Sequence, residues 1–205
     1  MLYDLTTLTL RPATVAGALP RLQEWLEATP LKGELLGCWV AEVGLLNTIL
    51  LLRGYGEDRD ALLADHAAIT GMENPFGIGD LTVARTMDAY QPFPFLPPIR
   101  PGSYGPVYEV RTYMMAPHGL APTIQGWEET LPGRLALSTP LVGMYSITGA
   151  GTRFVHIWPY ASMNDRYRIR TEAQEKGLWP PKGRTDRLLE MKSELYLPAK
   201  FSPTQ

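Results

Sequence analysis

The chain has 205 residues, of which 45% are apolar and 20% are charged, a composition typical of a globular protein with one or two domains. Its formal net charge of −2 argues against a general attraction to nucleic acid or to anionic membranes. No apolar run reaches the roughly 18 residues that a membrane helix needs, and the first residues lack the features of a signal peptide. We therefore expect a cytoplasmic protein without nucleic-acid or membrane partners.

The first hundred residues predict six elements in the order β-α-β-β-α-β. Strand-like runs are rich in Tyr, Thr, Val and Leu, and Leu19, Leu22 and Leu26 recur at helical spacing. Pro20 lies inside that helical pattern, so we expect the helix to begin or kink there. Gly44 is suited to the turn of a hairpin. The predicted strands are 2–10, 35–43, 47–53 and 81–89, and the predicted helices are 15–26 and 58–69.

The second hundred residues repeat this order about 106 positions later. Leu2-Tyr3-Asp4-Leu5 corresponds to Val107-Tyr108-Glu109-Val110, and the strand that begins at Asn47 corresponds to the one that begins at Arg153. Solenoid repeats have periods of roughly 20–50 residues, so this longer period indicates two copies of a small domain. The predicted strands of the second copy are 107–115, 141–148, 152–158 and 188–197, and its predicted helices are 120–131 and 163–176.

A proline-rich segment, residues 91–106, separates the two copies and is typical of a stiff, extended linker. We place the boundary near residue 100, which gives domains of residues 1–100 and 101–205. Each domain has the order of the ferredoxin-like split βαβ unit.

The predicted fold is α+β. Each unit exposes one face of its antiparallel sheet, and the second copy is the natural partner for that face. Two tandem ferredoxin-like domains would then form a dimeric α+β barrel within one chain. Edge strands could still pair with another molecule, so a homodimer is a further possibility.

Several short motifs occur in order along the chain. They are Tyr3-Asp4-Leu5-Thr6, Tyr108-Glu109-Val110-Arg111-Thr112-Tyr113, Gly143-x-Tyr145, Trp158-x-Tyr160 followed by Arg166, and Phe201-Ser202-Pro203. Taken in this order, the motifs resemble those of the NIPSNAP family. The resemblance implies a dimeric α+β barrel whose biochemistry is poorly established, related in fold to cofactor-free monooxygenases, EthD-like proteins and haem-binding chlorite dismutase-like proteins. It implies no set of catalytic residues.

The two copies differ where chemistry could occur. The second copy has Arg111, His156 and Trp158 where the first has Thr6, Leu50 and Leu52. We therefore expect the first half to be a structural partner and the second half to carry any site.

Alternation along the strand at 107–115 separates Tyr108, Val110 and Thr112 from Glu109, Arg111 and Tyr113. If the helices cover the more apolar set, Glu109 and Arg111 point into the barrel. The same argument assigns Val155 and Ile157 to the helix side of the neighbouring strand. The residues expected to bind a ligand in the barrel are Glu109, Arg111, Tyr113, Phe154, His156, Trp158 and Glu194.

The candidates for catalysis within this set are His156, Arg111 and Glu109. A carboxylate can orient an imidazole that shuttles protons, and an arginine can bind an acidic or enolate oxygen. The alternative is that Glu109 and Arg111 form a structural ion pair.

The three histidines are His66, His118 and His156, and none has the spacing of a metal motif. We expect no metal and no cofactor, with haem on His156 as a remote alternative, since haem needs only one proximal histidine. The basic run from Arg166 to Arg170 is expected on a solvated helix face.

Three functions remain open. The first is a NIPSNAP-like protein of unestablished activity that binds a small, partly apolar molecule between the sheets. The second is a cofactor-free monooxygenase or isomerase in which His156 is the base and Arg111 stabilises negative charge. The third is a non-catalytic scaffold for protein interactions.

Overall fold

The computed structural model describes residues 1–183 and 186–205, which form eight strands and four α-helices. Both halves have the predicted order β-α-β-β-α-β. The elements are β1 (Tyr3–Leu10), α1 (Val15–Ala28), β2 (Glu34–Val43), β3 (Thr48–Gly54), α2 (Arg59–Gly71), a 3-10 turn (Pro75–Gly77), β4 (Thr82–Pro92), β5 (Val107–Met115), α3 (Leu120–Leu135), β6 (Val142–Ser146), β7 (Arg153–Tyr160), α4 (Met163–Glu175) and β8 (Leu188–Pro198).

The eight strands form one closed barrel in the order β1-β3-β2-β8-β5-β7-β6-β4. Each half contributes a four-stranded antiparallel sheet, and two seams join the halves. At one seam Val40 pairs with Leu197, and at the other Tyr90 pairs with Ser146. The α+β fold of two ferredoxin-like units in one intrachain barrel is therefore confirmed.

Each strand buries side chains on both of its faces. The barrel interior holds one apolar cluster, in which Trp39 of the first half lies 5.3 Å from Tyr108 of the second, ring centre to ring centre. Two further clusters lie outside the barrel, between each sheet and its own helices. Cys38 belongs to the first-half outer cluster, where burial raises the pKa of its thiol.

Helix α1 begins at Val15 and continues beyond Pro20 to Ala28, so the expected start of the helix at Pro20 is wrong. Because proline has no backbone N–H, Pro20 removes one hydrogen bond from the helix. Ala18 and Leu22, on either side of it, are fully buried, and this packing holds the helix together.

The proline-rich segment is shorter than expected because β4 extends into it, with Gln91 paired to Tyr145. The last residues of the chain hold the rest of this segment in place through backbone hydrogen bonds. The Gly102 N–H donates to the Pro203 carbonyl at 2.9 Å, and the Gln205 N–H donates to the Gly102 carbonyl at 2.9 Å. The division at residue 100 stays a prediction.

Among the described residues, no helix has the length and apolar character needed to cross a membrane.

Candidate functional site

The side chains of β5 and β7 alternate as expected, but the two faces are the reverse of the prediction. Tyr108, Val110, Val155 and Ile157 face the barrel interior. Tyr113, Phe154 and Trp158 pack under the helices of the second half. Glu109, Arg111 and His156 share the helix side with them. The expectation that these side chains point into the barrel is therefore wrong.

The physical reason is that both faces of this sheet are buried, so apolar character alone does not distinguish them. The interior is walled by a second sheet that offers mainly aliphatic side chains. The helix side can accept a charge because α4 supplies partners for it, Arg166 and Arg170. A buried carboxylate is placed where hydrogen-bonding cations surround it.

Glu109 is fully buried on the helix side and is held by three arginines. Its Oε1 accepts from Arg111 Nη1 and from Arg166 Nη2, each at 2.7 Å, and its Oε2 accepts from Arg170 Nη1 at 3.3 Å. Ser193 Oγ also donates to Oε1, at 2.8 Å. We call Glu109 with these three arginines the Glu109 cluster.

The Glu109 cluster carries an excess of positive charge, because one carboxylate faces three guanidinium groups. Burial raises the pKa of Glu109, but Arg170, Arg111 and Arg166 outweigh that effect and lower its pKa to about 2. A fourth arginine, Arg134 of α3, is also buried and stacks over the Trp158 ring, with Cζ 4.6 Å from the ring centre. The region can therefore accept additional negative charge.

His156 lies in an aromatic box on the same side of the sheet. Its ring stacks on Phe154 with centres 4.8 Å apart, and the edges of Tyr113 and Trp127 approach it at 5.1 and 5.0 Å. The Trp158 indole N–H donates to His156 Nδ1 at 2.7 Å. An indole nitrogen can only donate, so Nδ1 carries no proton and the imidazole is neutral in this arrangement.

Two adjoining openings give access to this region. A small aromatic cavity of about 30 Å³ touches His156, and a larger groove of about 170 Å³ lies beside it. Tyr113, Trp179 and Pro180 border both openings. We call the larger opening the helix-side groove; its lining comprises Arg111, Tyr113, Arg170, Gln174, Trp179, Pro180 and Met191.

Glu194 does not join the other predicted site residues. It pairs with Val110 and faces the barrel interior, where it lines a separate cavity of about 150 Å³. Most of the interior is filled by the apolar side chains of both halves. The expected grouping of Glu194 with His156 is therefore wrong, because the two side chains lie on opposite faces of the sheet.

The surroundings of His156 do not fit a haem. The cavity beside its ring has about 30 Å³, whereas pockets for drug-sized ligands have roughly 300–1,000 Å³. Phe154 stacks on one face of the ring, and the edges of Tyr113 and Trp127 also approach it. Within residues 1–183 and 186–205, no three His, Cys, Asp or Glu side chains are grouped as metal ligands.

The sequence reasoning missed the part that α4 plays. Arg166 and Arg170 are four residues apart, so they share one helix face and turn toward Glu109. Arg168 lies on the other side and is 63% exposed, as expected for a solvated face. The spacing of these arginines was the signal that could have identified the inward pair.

The first half has a related buried carboxylate in the position that the repeat assigns to Glu109. Asp4 Oδ2 accepts from Arg53 Nη2 at 2.9 Å, and Asp4 Oδ1 lies 2.8 Å from His66 Nε2. Burial raises the pKa of Asp4, and hydrogen bonds from His66 and Arg53 lower it below its usual range. Because Asp65 also lies 4.0 Å from Arg53, the first-half cluster has no comparable excess of arginines.

Comparison with known proteins gives consistent results for sequence and fold. A protein NipSnap homolog of Dictyostelium discoideum is 33% identical over 97 residues, which cover 46% of this chain and 44% of that protein. Protein NipSnap of Drosophila melanogaster is 22% identical over 219 residues, covering all of this chain and 79% of the fly protein. The chain therefore matches less than half the length of the Dictyostelium relative.

A candidate monooxygenase from Lactobacillus acidophilus shares the fold, with a TM-score of 0.65 over 96% of this chain and 93% of its own. At 8% identity, this likeness concerns the fold alone.

The NIPSNAP family model matches residues 108–203, which contain β5 to β8, the Glu109 cluster and the aromatic box. The matched segment is the second half of the barrel, in which all the predicted site residues lie. Through this half, the chain is similar to the NIPSNAP family.

Proposed function

We propose that the protein binds a small, partly apolar organic acid in the helix-side groove of its second half. The observation that carries the proposal is the charge of the Glu109 cluster. One carboxylate faces three arginines, and two of these, Arg111 and Arg170, line the groove. A carboxylate or similar anion would complete the hydrogen bonding of their guanidinium groups.

The neighbouring aromatic side chains support an apolar or aromatic body for the ligand. Trp179 and Tyr113 stand between the arginines and the aromatic cavity, and Trp127 packs edge-on against Trp179 at 4.7 Å. A convergence of apolar walls and a few charged groups is typical of small-molecule sites. A groove of about 170 Å³ suits a molecule about the size of benzoate rather than a large cofactor.

The proposal can be tested by calorimetric titration with benzoate and with benzamide, its uncharged counterpart. We expect benzoate to bind and benzamide to bind at least about tenfold more weakly, because a charge-assisted hydrogen bond contributes roughly 1.5–3 kcal/mol. Arg170→Gln should weaken benzoate binding by a similar factor. Arg111 and Arg166 would still hold Glu109 in that variant.

Arg168→Gln is the matched control, since Arg168 lies on the same helix but pairs outward with Asp165 and Glu172. It should leave benzoate binding unchanged. Equal binding of benzoate and benzamide, or equal losses in the two arginine variants, would refute the proposal.

The surroundings of His156, the proposed base, favour the enzyme alternative less than they favour binding. A monooxygenase or isomerase in which His156 removes a proton needs an available basic nitrogen, and Trp158 already donates to Nδ1. We therefore propose binding and assign no reaction.

A further inference from the structure

A second cavity lies at one end of the barrel, on the opposite face of the sheet from the helix-side groove. It has about 150 Å³ and opens where the β2–β3 and β6–β7 hairpins turn. Both halves of the chain contribute to it. We call it the barrel-mouth cavity; its lining comprises Leu5, Thr7, Leu45, Thr48, Leu50, Thr86, Asp88, Tyr90, Val110, Thr112, Arg153, Lys192, Glu194 and Tyr196.

The charged groups of the barrel-mouth cavity occur in balanced pairs. Arg153 Nη2 lies 3.0 Å from Asp88 Oδ1, and Lys192 Nζ lies 3.3 Å from Glu194 Oε2. Glu194 Oε1 also accepts from the Leu45 N–H at 2.8 Å, which ties the first hairpin to the mouth. Since the two pairs cancel, the lining has no net charge to attract an ion.

Hydroxyl groups supply the remaining polar character of the lining. They come from Thr7 on β1, Thr48 on β3, Thr86 and Tyr90 on β4, Thr112 on β5 and Tyr196 on β8. Thr48 is 1% exposed, and its Oγ1 has no hydrogen-bond partner among the described residues. A buried hydroxyl without a partner is unfavourable, so an occupant that supplies a hydrogen-bond partner is favoured.

We propose that the barrel-mouth cavity binds a small neutral polyol. A threonine hydroxyl both donates and accepts, which complements the hydroxyls of a polyol. The apolar walls from Leu5, Leu50 and Val110 suit the carbon backbone of such a molecule. A cavity of about 150 Å³ suits one small molecule about the size of erythritol or ribose rather than a large cofactor.

The test is saturation-transfer NMR on the full chain with erythritol and ribose, with glycine betaine as a zwitterion and acetate as an anion. We expect signal transfer to the two polyols, and no transfer to betaine or acetate that depends on Thr48. Thr48→Val, which keeps the shape but removes the hydroxyl, should weaken polyol binding about fivefold or more. Thr70→Val, an exposed threonine on α2, is the matched control and should change nothing.

Thr112→Val is a second variant in case Thr48→Val does not fold, and it should also weaken polyol binding. Absence of transfer to both polyols at millimolar concentration would overturn the proposal, as would undiminished transfer in the folded threonine variants. Stronger binding of betaine or acetate that depends on Thr48 would also overturn it. The result is independent of the helix-side groove, because benzoate binding involves none of these threonines.

Discussion

Glu109 is a buried carboxylate whose surroundings are set by several charged partners. It is fully buried, and arginines from β5 and α4 hold it ionised. Removing one partner of a buried ion pair leaves the other charge uncompensated, which is more costly than losing the pair's own attraction. The Glu109 cluster therefore contributes both to folding and to the positive charge of the groove.

The Glu109 cluster predicts a loss of stability in acid. The pKa of Glu109 is about 2 in the folded protein, below its ordinary value of 4.5. Its contribution is therefore fully present above about pH 4.5 and is lost as pH falls toward 2. The difference between these two pKa values corresponds to a contribution of about 3 kcal/mol to the free energy of unfolding. Urea denaturation across this pH range measures it.

Glu109→Gln should remove this part of the acid dependence and should lower the free energy of unfolding at pH 7 by about 3–5 kcal/mol. Glu172→Gln is the control, since the ion pairs of Glu172 with other described residues, Lys176 and Arg168, lie at the surface. It should have little effect at either pH. A Glu109→Gln variant as stable as the Glu172→Gln variant would contradict the assigned role of Glu109.

At the scale of residues, the sequence identified which side chains share a face but not which way that face points. Glu109, Arg111, Tyr113, Phe154, His156 and Trp158 do lie together. Their direction depends on partners from distant segments, such as Arg166 and Trp127, which alternation along one strand cannot reveal.

At the scale of elements, α4 is the helix that supplies the groove with its cations. Its N-cap is Ser162, whose Oγ accepts from the Asp165 N–H at 3.0 Å and donates to Asp165 Oδ2 at 2.8 Å. These bonds fix the first turn, from which Arg166 reaches Glu109.

Ser162→Ala should lower the free energy of unfolding by about 1 kcal/mol, because the first turn loses its capping acceptor. Ser162→Asp should restore most of the loss. Thr14, the N-cap of α1, makes no capping bond with its side chain, so Thr14→Ala should cost less. Chemical denaturation of the three variants measures these differences, and equal losses in the two alanine variants would contradict the prediction.

The strands and helices were largely predictable because each has a strong local signal. The hairpin at Gly44, with φ of +120°, formed as expected, and Gly149 and Gly151 lie in the corresponding turn between β6 and β7. The path of α1 through Pro20 was not predictable, since it depends on the burial of Ala18 and Leu22 against the first sheet.

At the scale of the whole molecule, each half completes the other. The edge strands β2 and β4 of the first half pair with β8 and β6 of the second. A half on its own would expose these edges together with the apolar face that lines the barrel. A homodimer of the complete chain stays a prediction.

The residues 101–205 expressed alone should therefore self-associate, most simply into a two-chain barrel in which β6 and β8 find partners in a second copy. Light scattering after size-exclusion chromatography should give at least twice the mass of the fragment. The complete chain, measured in parallel, shows whether the first half, joined covalently to the second, takes the place of the second copy. A folded, monomeric fragment would contradict the mutual dependence of the halves.

The central claim is that an organic acid binds on the helix side of the second half and not inside the barrel. Four of the five tryptophans report on this directly. Trp127 and Trp179 lie at the aromatic cavity, Trp39 lies in the barrel interior and Trp25 packs on the first-half helix side.

The decisive measurement is the shift of each indole N–H resonance in ¹⁵N-labelled protein during titration with benzoate. The Trp179 and Trp127 signals should move together and saturate, while those of Trp39 and Trp25 should stay in place. Movement of the Trp39 signal without Trp179, or no movement at all, would contradict the account.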